Sequence, residues 1–97
     1  MQVPAELKIK YLNRRIDDLE KLKRSLESND YSIALKLGHQ VKGNADTFEF
    51  PQMAHLGIAI EQAAKNQDKE AVQHLASKME TAIQNAQSMF MSSYPIQ

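Results

Sequence analysis

His39-Gln40-Val41-Lys42-Gly43 is the segment of this chain whose residue types and spacing fit a chemical step. A neutral imidazole is a nucleophile near pH 7, and its two ring nitrogens can divide the work. Lys42, three residues on, shares a helical face with His39 and places an ammonium beside any anion held there. Gly43 is the odd choice, because a glycine in a helix interior costs about 1 kcal/mol relative to alanine. Helical side chains lean back over the preceding turn, so a residue at 43 would otherwise cover the imidazole at 39. The pattern describes a reactive imidazole kept open to a large partner, with a cation beside it.

The helix that positions these residues is read from its apolar stripe. Ala34, Leu37, Val41, Ala45 and Phe48 recur at three- and four-residue steps and face inward. His39 lies two residues from both Leu37 and Val41, so at about 100° per residue it points outward, away from both. Leu35, His39, Lys42, Gly43 and Asp46 share the outer face. Around this helix the spacing predicts three more. The first runs from about Pro4 to Ser28 with Leu12, Ile16, Leu19, Leu22 and Leu26 inward, opened by a proline suited to a first helical position. The His39 helix spans about Tyr31 to Phe48, with Asp30 as its cap. Phe50-Pro51 breaks it, because the residue before proline is pushed out of the α region. The third helix, about Pro51 to Asn66, buries Met53, Leu56, Ile60 and Ala63. The fourth, about Lys69 to Phe90 and capped by Asp68, buries Val72, Leu75, Ala76, Met79, Ile83 and Ala86. Residues 91–97 are expected to fray. Short connections favour antiparallel neighbours, so the fold class is all-α, an antiparallel up-and-down four-helix bundle. One domain over residues 1–97, with its core at about 4–90, accommodates all four helices.

Composition narrows the function. Lys plus Arg and Asp plus Glu both total 12, which disfavours a nucleic-acid binder with a basic stripe. The chain has no cysteine, so it has neither a disulfide framework nor a thiolate zinc site. It carries no Gly-rich phosphate loop for a nucleotide. No apolar run is long enough to insert in a membrane, and Met1-Gln2-Val3-Pro4 does not start a signal-peptide apolar segment. A cytoplasmic protein is expected, and a monomer, because the bundle buries its own stripes. The initial methionine mildly favours a small protein complete in itself.

The stretch from Ala34 to Asp68 resembles a histidine-containing phosphotransfer (HPt) domain. The matching residues are His39-x-x-Lys42-Gly43-x-Ala45, then Phe48-x-Phe50-Pro51 opening the next helix, Leu56, Ile60-Glu61, and Asp68 at the following turn. A bare HxxKG is a weak signal; its place in mid-helix, followed by a break and a second helix with an acidic residue, is much more specific. The resemblance implies a phosphorelay intermediate of two-component signalling rather than an enzyme. Its histidine takes a phosphoryl group from a receiver-domain aspartate or a sensor histidine kinase, including hybrid kinases, and passes it to another response-regulator receiver. Carried over, His39 is the phospho-acceptor, Lys42 the cation beside the phosphoryl oxygens, and Gly43 the opening for the partner. Glu61 falls where the family often has an acidic or amide side chain near the imidazole. If it accepts a hydrogen bond from Nδ1–H, it fixes the tautomer and leaves Nε2 to attack. The resemblance implies no cofactor of the chain's own, the Mg²⁺ being supplied by the partner receiver. Leu35, Asp46 and Ile58 are the expected docking residues around the imidazole.

Two residues depart from the family pattern. Glu49 stands where many relatives have glycine, which readily ends a helix in the left-handed conformation. Gly38 is a second helix-interior glycine, serving either close helix packing or nothing beyond a loss of local stability.

Other readings predict different behaviour. A helical adaptor or inhibitor of the same shape would dock a receiver or kinase without carrying phosphate. A generic helical scaffold would bind no receiver and tolerate His39→Gln. His55 and His74 lack a lysine–glycine companion and read as ordinary surface histidines, and the three histidines give only a weak metal signal. The methionines read as core filler, and Lys21-Leu22-Lys23-Arg24 as a solvated face around one buried leucine.

Overall fold

Leu12, Ile16, Leu19, Leu22 and Leu26, three or four residues apart, make the first helix one-sided, and the structure turns that side to the core. In this computed structural model, which describes residues 3–93 and side chains as far as residue 90, the helices are α1 (Ala5–Glu27), α2 (Ser32–Asn44), α3 (Pro51–Lys65) and α4 (Lys69–Ser93). They form an antiparallel bundle in which α1 packs on α2 and α4, and α3 packs on α2 and α4, with α2 and α3 the most intimate pair. Leu12, Leu19, Leu22 and Leu26 of α1 meet Leu37 and Val41 of α2, Ile60 of α3, and Val72, Met79 and Ile83 of α4 in one core. Ile16, Phe48, Leu56, Leu75 and Ala86, expected inside, are only partly buried at its margin.

Each connection ends in the same way. Asn29, Glu49 and Gln67 have φ of 57°, 69° and 51°, and they are the positive-φ residues among those described. Behind each, the next residue's N–H reaches five residues back: Asp30 to Ser25 at 3.0 Å, Phe50 to Ala45 at 2.8 Å, Asp68 to Ala63 at 3.0 Å. These are Schellman terminations, which normally use glycine at the left-handed position. Here a non-glycine residue fills all three, at a cost of roughly 1–2 kcal/mol each for a residue without special tolerance of that region. Glu49 is therefore left-handed without the freedom that glycine has in that region. Its carboxylate is tied back by the Val3 N–H at 3.0 Å and by Lys8 at 3.2 Å, which hold its pKa below the usual range.

The second helix is shorter than its apolar pattern predicts, ending at Asn44 rather than Phe48. The coil goes on as turns, with the Phe48 N–H shared between Asn44 and Ala45 at 3.3 and 3.1 Å, so Ala45 and Phe48 still face inward. Asp68 accepts from the Ala71 N–H at 3.2 Å and serves the start of α4 as expected. The N-cap of α2, by contrast, is Tyr31, without a side-chain cap. The expected cap Asp30 stands one residue earlier, accepting from the Ser32 N–H at 2.9 Å in a local turn. The last helix outlasts its predicted end by three residues, to Ser93; positions 94–97 of the expected frayed tail lie outside the described residues.

Burial of Tyr11 and Arg15 is not legible in the α1 pattern. Tyr11 stacks on Phe48 with ring centroids 4.3 Å apart, and its hydroxyl donates to Asn44 Oδ1 at 2.6 Å, tying α1 to the end of α2. Arg15 lies over the Tyr11 ring at 5.1 Å and pairs with Asp18 at 3.0 Å. Burial pushes the Tyr11 hydroxyl up from 10.0 to about 12. The folded state thus keeps a proton that the unfolded chain sheds first, so this stabilisation is complete below pH 10.0 and is lost as pH rises towards 12. Tyr11→Phe is expected to cost about 1–2 kcal/mol by leaving Asn44 Oδ1 without its donor, and to flatten the alkaline limb of a stability–pH curve. An unchanged unfolding midpoint in urea would remove the hydroxyl from the account.

Candidate functional site

Helix α2 presents His39 to solvent with its side chain 70% exposed, while its neighbours Leu37, Gly38 and Val41 are buried. Against it, α3 brings up Glu61, whose side chain is only 13% exposed. The Glu61 carboxylate is forked. Oε2 lies 3.1 Å from His39 Nδ1, and Oε1 accepts from Lys42 Nζ at 2.8 Å. The Lys42 hydrogen bond holds the Glu61 carboxyl below its usual range, against the opposing cost of its desolvation, with the His39 contact adding to the lowering. An ionised carboxylate only accepts hydrogen bonds, so Nδ1 carries the proton. In the neutral ring the lone pair then belongs to Nε2, the nitrogen not engaged by Glu61. Glu61 therefore joins the other two residues named from sequence, His39 and Lys42, through one carboxylate.

Gly43 lies on the exposed side of α2, and a Cβ added there would meet nothing within 4 Å. Nothing in the isolated protein fills the space. Asp46 is exposed in the turn after α2, and Ile58 is 49% exposed on α3, one turn before Glu61. Leu35 differs from the expectation of a freely exposed residue: it is half-buried and packs against the core. His55 and His74 are exposed and stand outside the His39–Lys42–Glu61 contacts. Among the described residues, no three His, Asp or Glu side chains are grouped to hold a metal ion, and no helix is long and apolar enough to cross a membrane.

The close approach that makes this contact possible is a glycine crossing. A Cβ on Gly38 would lie 2.7 Å from the Glu61 amide nitrogen and 2.7 Å from the Gly57 carbonyl oxygen. A Cβ on Gly57 would lie 2.9 Å from the Lys42 amide nitrogen and 3.0 Å from the Gly38 carbonyl oxygen. Both obstacles are backbone, so neither can turn aside. Gly38 thus serves close packing, the first of the two readings its sequence position leaves open. Sequence reasoning misses Gly57. Its signal is a glycine within the inward stripe Met53, Gly57, Ile60, Ala64, flanked by larger residues.

Residues 6–89 of the 97-residue chain match the family model described as Hpt domain. The chain belongs to the Hpt family. Hpt domains are phosphocarriers of two-component systems rather than enzymes, and they interact with receiver and kinase domains. The four-helix bundle is the Hpt fold. No curated protein and no solved structure matches the chain.

Proposed function

We propose that this Hpt chain carries a phosphoryl group on Nε2 of His39, accepting it from a receiver aspartate or a kinase and delivering it to a receiver aspartate. The observation that carries this reading is the forked Glu61 carboxylate, which engages Nδ1 and Lys42 together and leaves Nε2 of the exposed ring unengaged by it. The Nε2 lone pair attacks phosphorus in the aspartyl phosphate. The bond from phosphorus to the aspartate oxygen breaks, and the carboxylate departs with its electron pair. The imidazole becomes a phosphoimidazolium whose Nδ1 proton faces the Glu61 carboxylate. The reverse sequence loads the next receiver. Lys42 lies on the same face to offset charge on the phosphoryl oxygens. Positioning, metal and electrostatics supply most of the rate in such transfers, and the Mg²⁺ belongs to the receiver's acidic pocket.

Glu61→Ala removes the acceptor for Nδ1–H and the partner of Lys42. Transfer is expected to fall by about tenfold to a hundredfold, the usual range for a displaced catalytic group, with the helical content unchanged. Because the folded-state pKa of Glu61 is lowered, the carboxylate keeps both contacts throughout the ordinary carboxylate range. They are lost only as pH falls through that lowered value. Transfer at the native rate by Glu61→Ala would reduce Glu61 to a packing residue.

The test of the reading is transfer from a panel of phosphorylated receivers, with Mg²⁺, to this protein. Acid-labile, base-stable label on the chain, lost again to an unphosphorylated receiver, is the expected result. Docking without label would overturn it in favour of an adaptor, and neither docking nor label would leave a helical scaffold.

A further inference from the structure

The chain has three glycines, at 38, 43 and 57, and all of them lie inside helices. Among the described residues, the left-handed turn positions are filled instead by Asn29, Glu49 and Gln67. This inverts the usual distribution, in which glycine supplies positive φ at helix ends and is avoided in helix interiors. Two of the three glycines face each other across the α2–α3 contact, directly behind His39, Lys42 and Glu61.

We infer that Gly57, with Gly38 opposite it, is the positioning residue of the phospho-accepting site, setting the α2–α3 separation at which Glu61 reaches both His39 and Lys42. This rests on the carrier function proposed above. The geometry gives the crossing little slack. A methyl at 57 would point at the Lys42 amide nitrogen at 2.9 Å and at the Val41 Cβ at 3.1 Å. The backbone at 42 is the one that carries the Lys42 side chain, and Glu61 follows Gly57 by one turn of α3. Gly38 adjoins His39, and a methyl there would press on the backbone nitrogen of Glu61 itself. Any side chain at either position therefore drives apart the very residues that meet through Glu61. The contacts at risk are 3.1 and 2.8 Å long, and a separation of about 3.6 Å no longer makes a hydrogen bond. A shift of well under about 1 Å at the crossing is enough to release Nδ1, and small displacements of reacting groups are costly in rate.

The test is Gly57→Ala, read by the ¹⁵N chemical shifts of the His39 ring at a pH where the imidazole is neutral, together with single-turnover transfer. The native protein is expected to hold the Nδ1–H tautomer. Gly57→Ala is expected to relax it towards the mixture of a free imidazole and to slow transfer by about tenfold, the scale of a modest misplacement. Ala76→Gly, in the core face of α4, provides a destabilised control whose tautomer should not move. A folded Gly57→Ala protein with the native tautomer and rate overturns the inference. Should Gly57→Ala fail to fold, Glu61→Asp decides instead, because it withdraws the carboxylate across an intact crossing: a lost tautomer preference supports the inference and a native one overturns it. A wild-type chain that takes no label defeats the carrier function, and the tautomer measurement then judges the glycine crossing alone.

Discussion

His39→Gln is expected to take no acid-labile label from any phosphorylated receiver while docking that receiver with native affinity. The glutamine amide offers no nucleophilic ring nitrogen, so there is nothing to form the phosphorus–nitrogen bond. The fold should not notice the change. The imidazole is 70% exposed and outside the core, and surface substitutions of this kind usually shift stability by no more than about 0.5 kcal/mol. Thermal unfolding, a binding isotherm and a labelling gel on the same preparation separate the three properties. Label retained by the variant would move the phosphoryl group to another residue, with His55 and His74 the first to be replaced in turn.

Gly43→Gln is expected to be more stable than the native chain and still to lose transfer by about a hundredfold, a loss comparable to that of a misplaced reacting group. The two effects have separate origins. A Cβ at 43 meets nothing within 4 Å in the isolated protein, and the φ of Gly43 is not positive, so the substitution introduces no backbone strain. Removing a glycine from a helix then contributes up to about 1 kcal/mol, less near a helix end such as this. The longer side chain leans back over the imidazole and occupies the space a receiver must enter. Gly43→Ala sharpens the argument, because its methyl also touches nothing in the free protein and should obstruct far less. Native transfer by Gly43→Gln would end the steric reading of this glycine.

Periodicity carried most of the fold into view. Helix number, the inward leucines of α1 and the outward direction of His39 all follow from 3.6-residue spacing, and the cap at Asp68 from side-chain chemistry. Glu61 was reachable only through family resemblance, since an acidic residue on a helix face has no signature of its own. The Gly38–Gly57 crossing was out of reach for a different reason. A sequence pattern gives the face each helix turns inward, but not which residue meets which across the gap, and a glycine pair is informative only once the helices are seen to touch. Tyr11 and Arg15 misled in the same way, because their polar tips hide how much of each side chain packs. The early end of α2 was obscured by Ala45 and Phe48, which keep the inward spacing through a run of turns. At Glu49 the residue type itself concealed a left-handed turn that glycine would have announced.

The proposed mechanism stands on Glu61 holding Nδ1 while His39 carries phosphate on the opposite nitrogen. Two-dimensional ¹⁵N and ³¹P NMR of the chain phosphorylated by a receiver reads both features at once. The expected spectrum shows a single phosphohistidine at position 39, with phosphorus bonded to Nε2 and a protonated Nδ1. Phosphorus on Nδ1, or on any other residue, would contradict it.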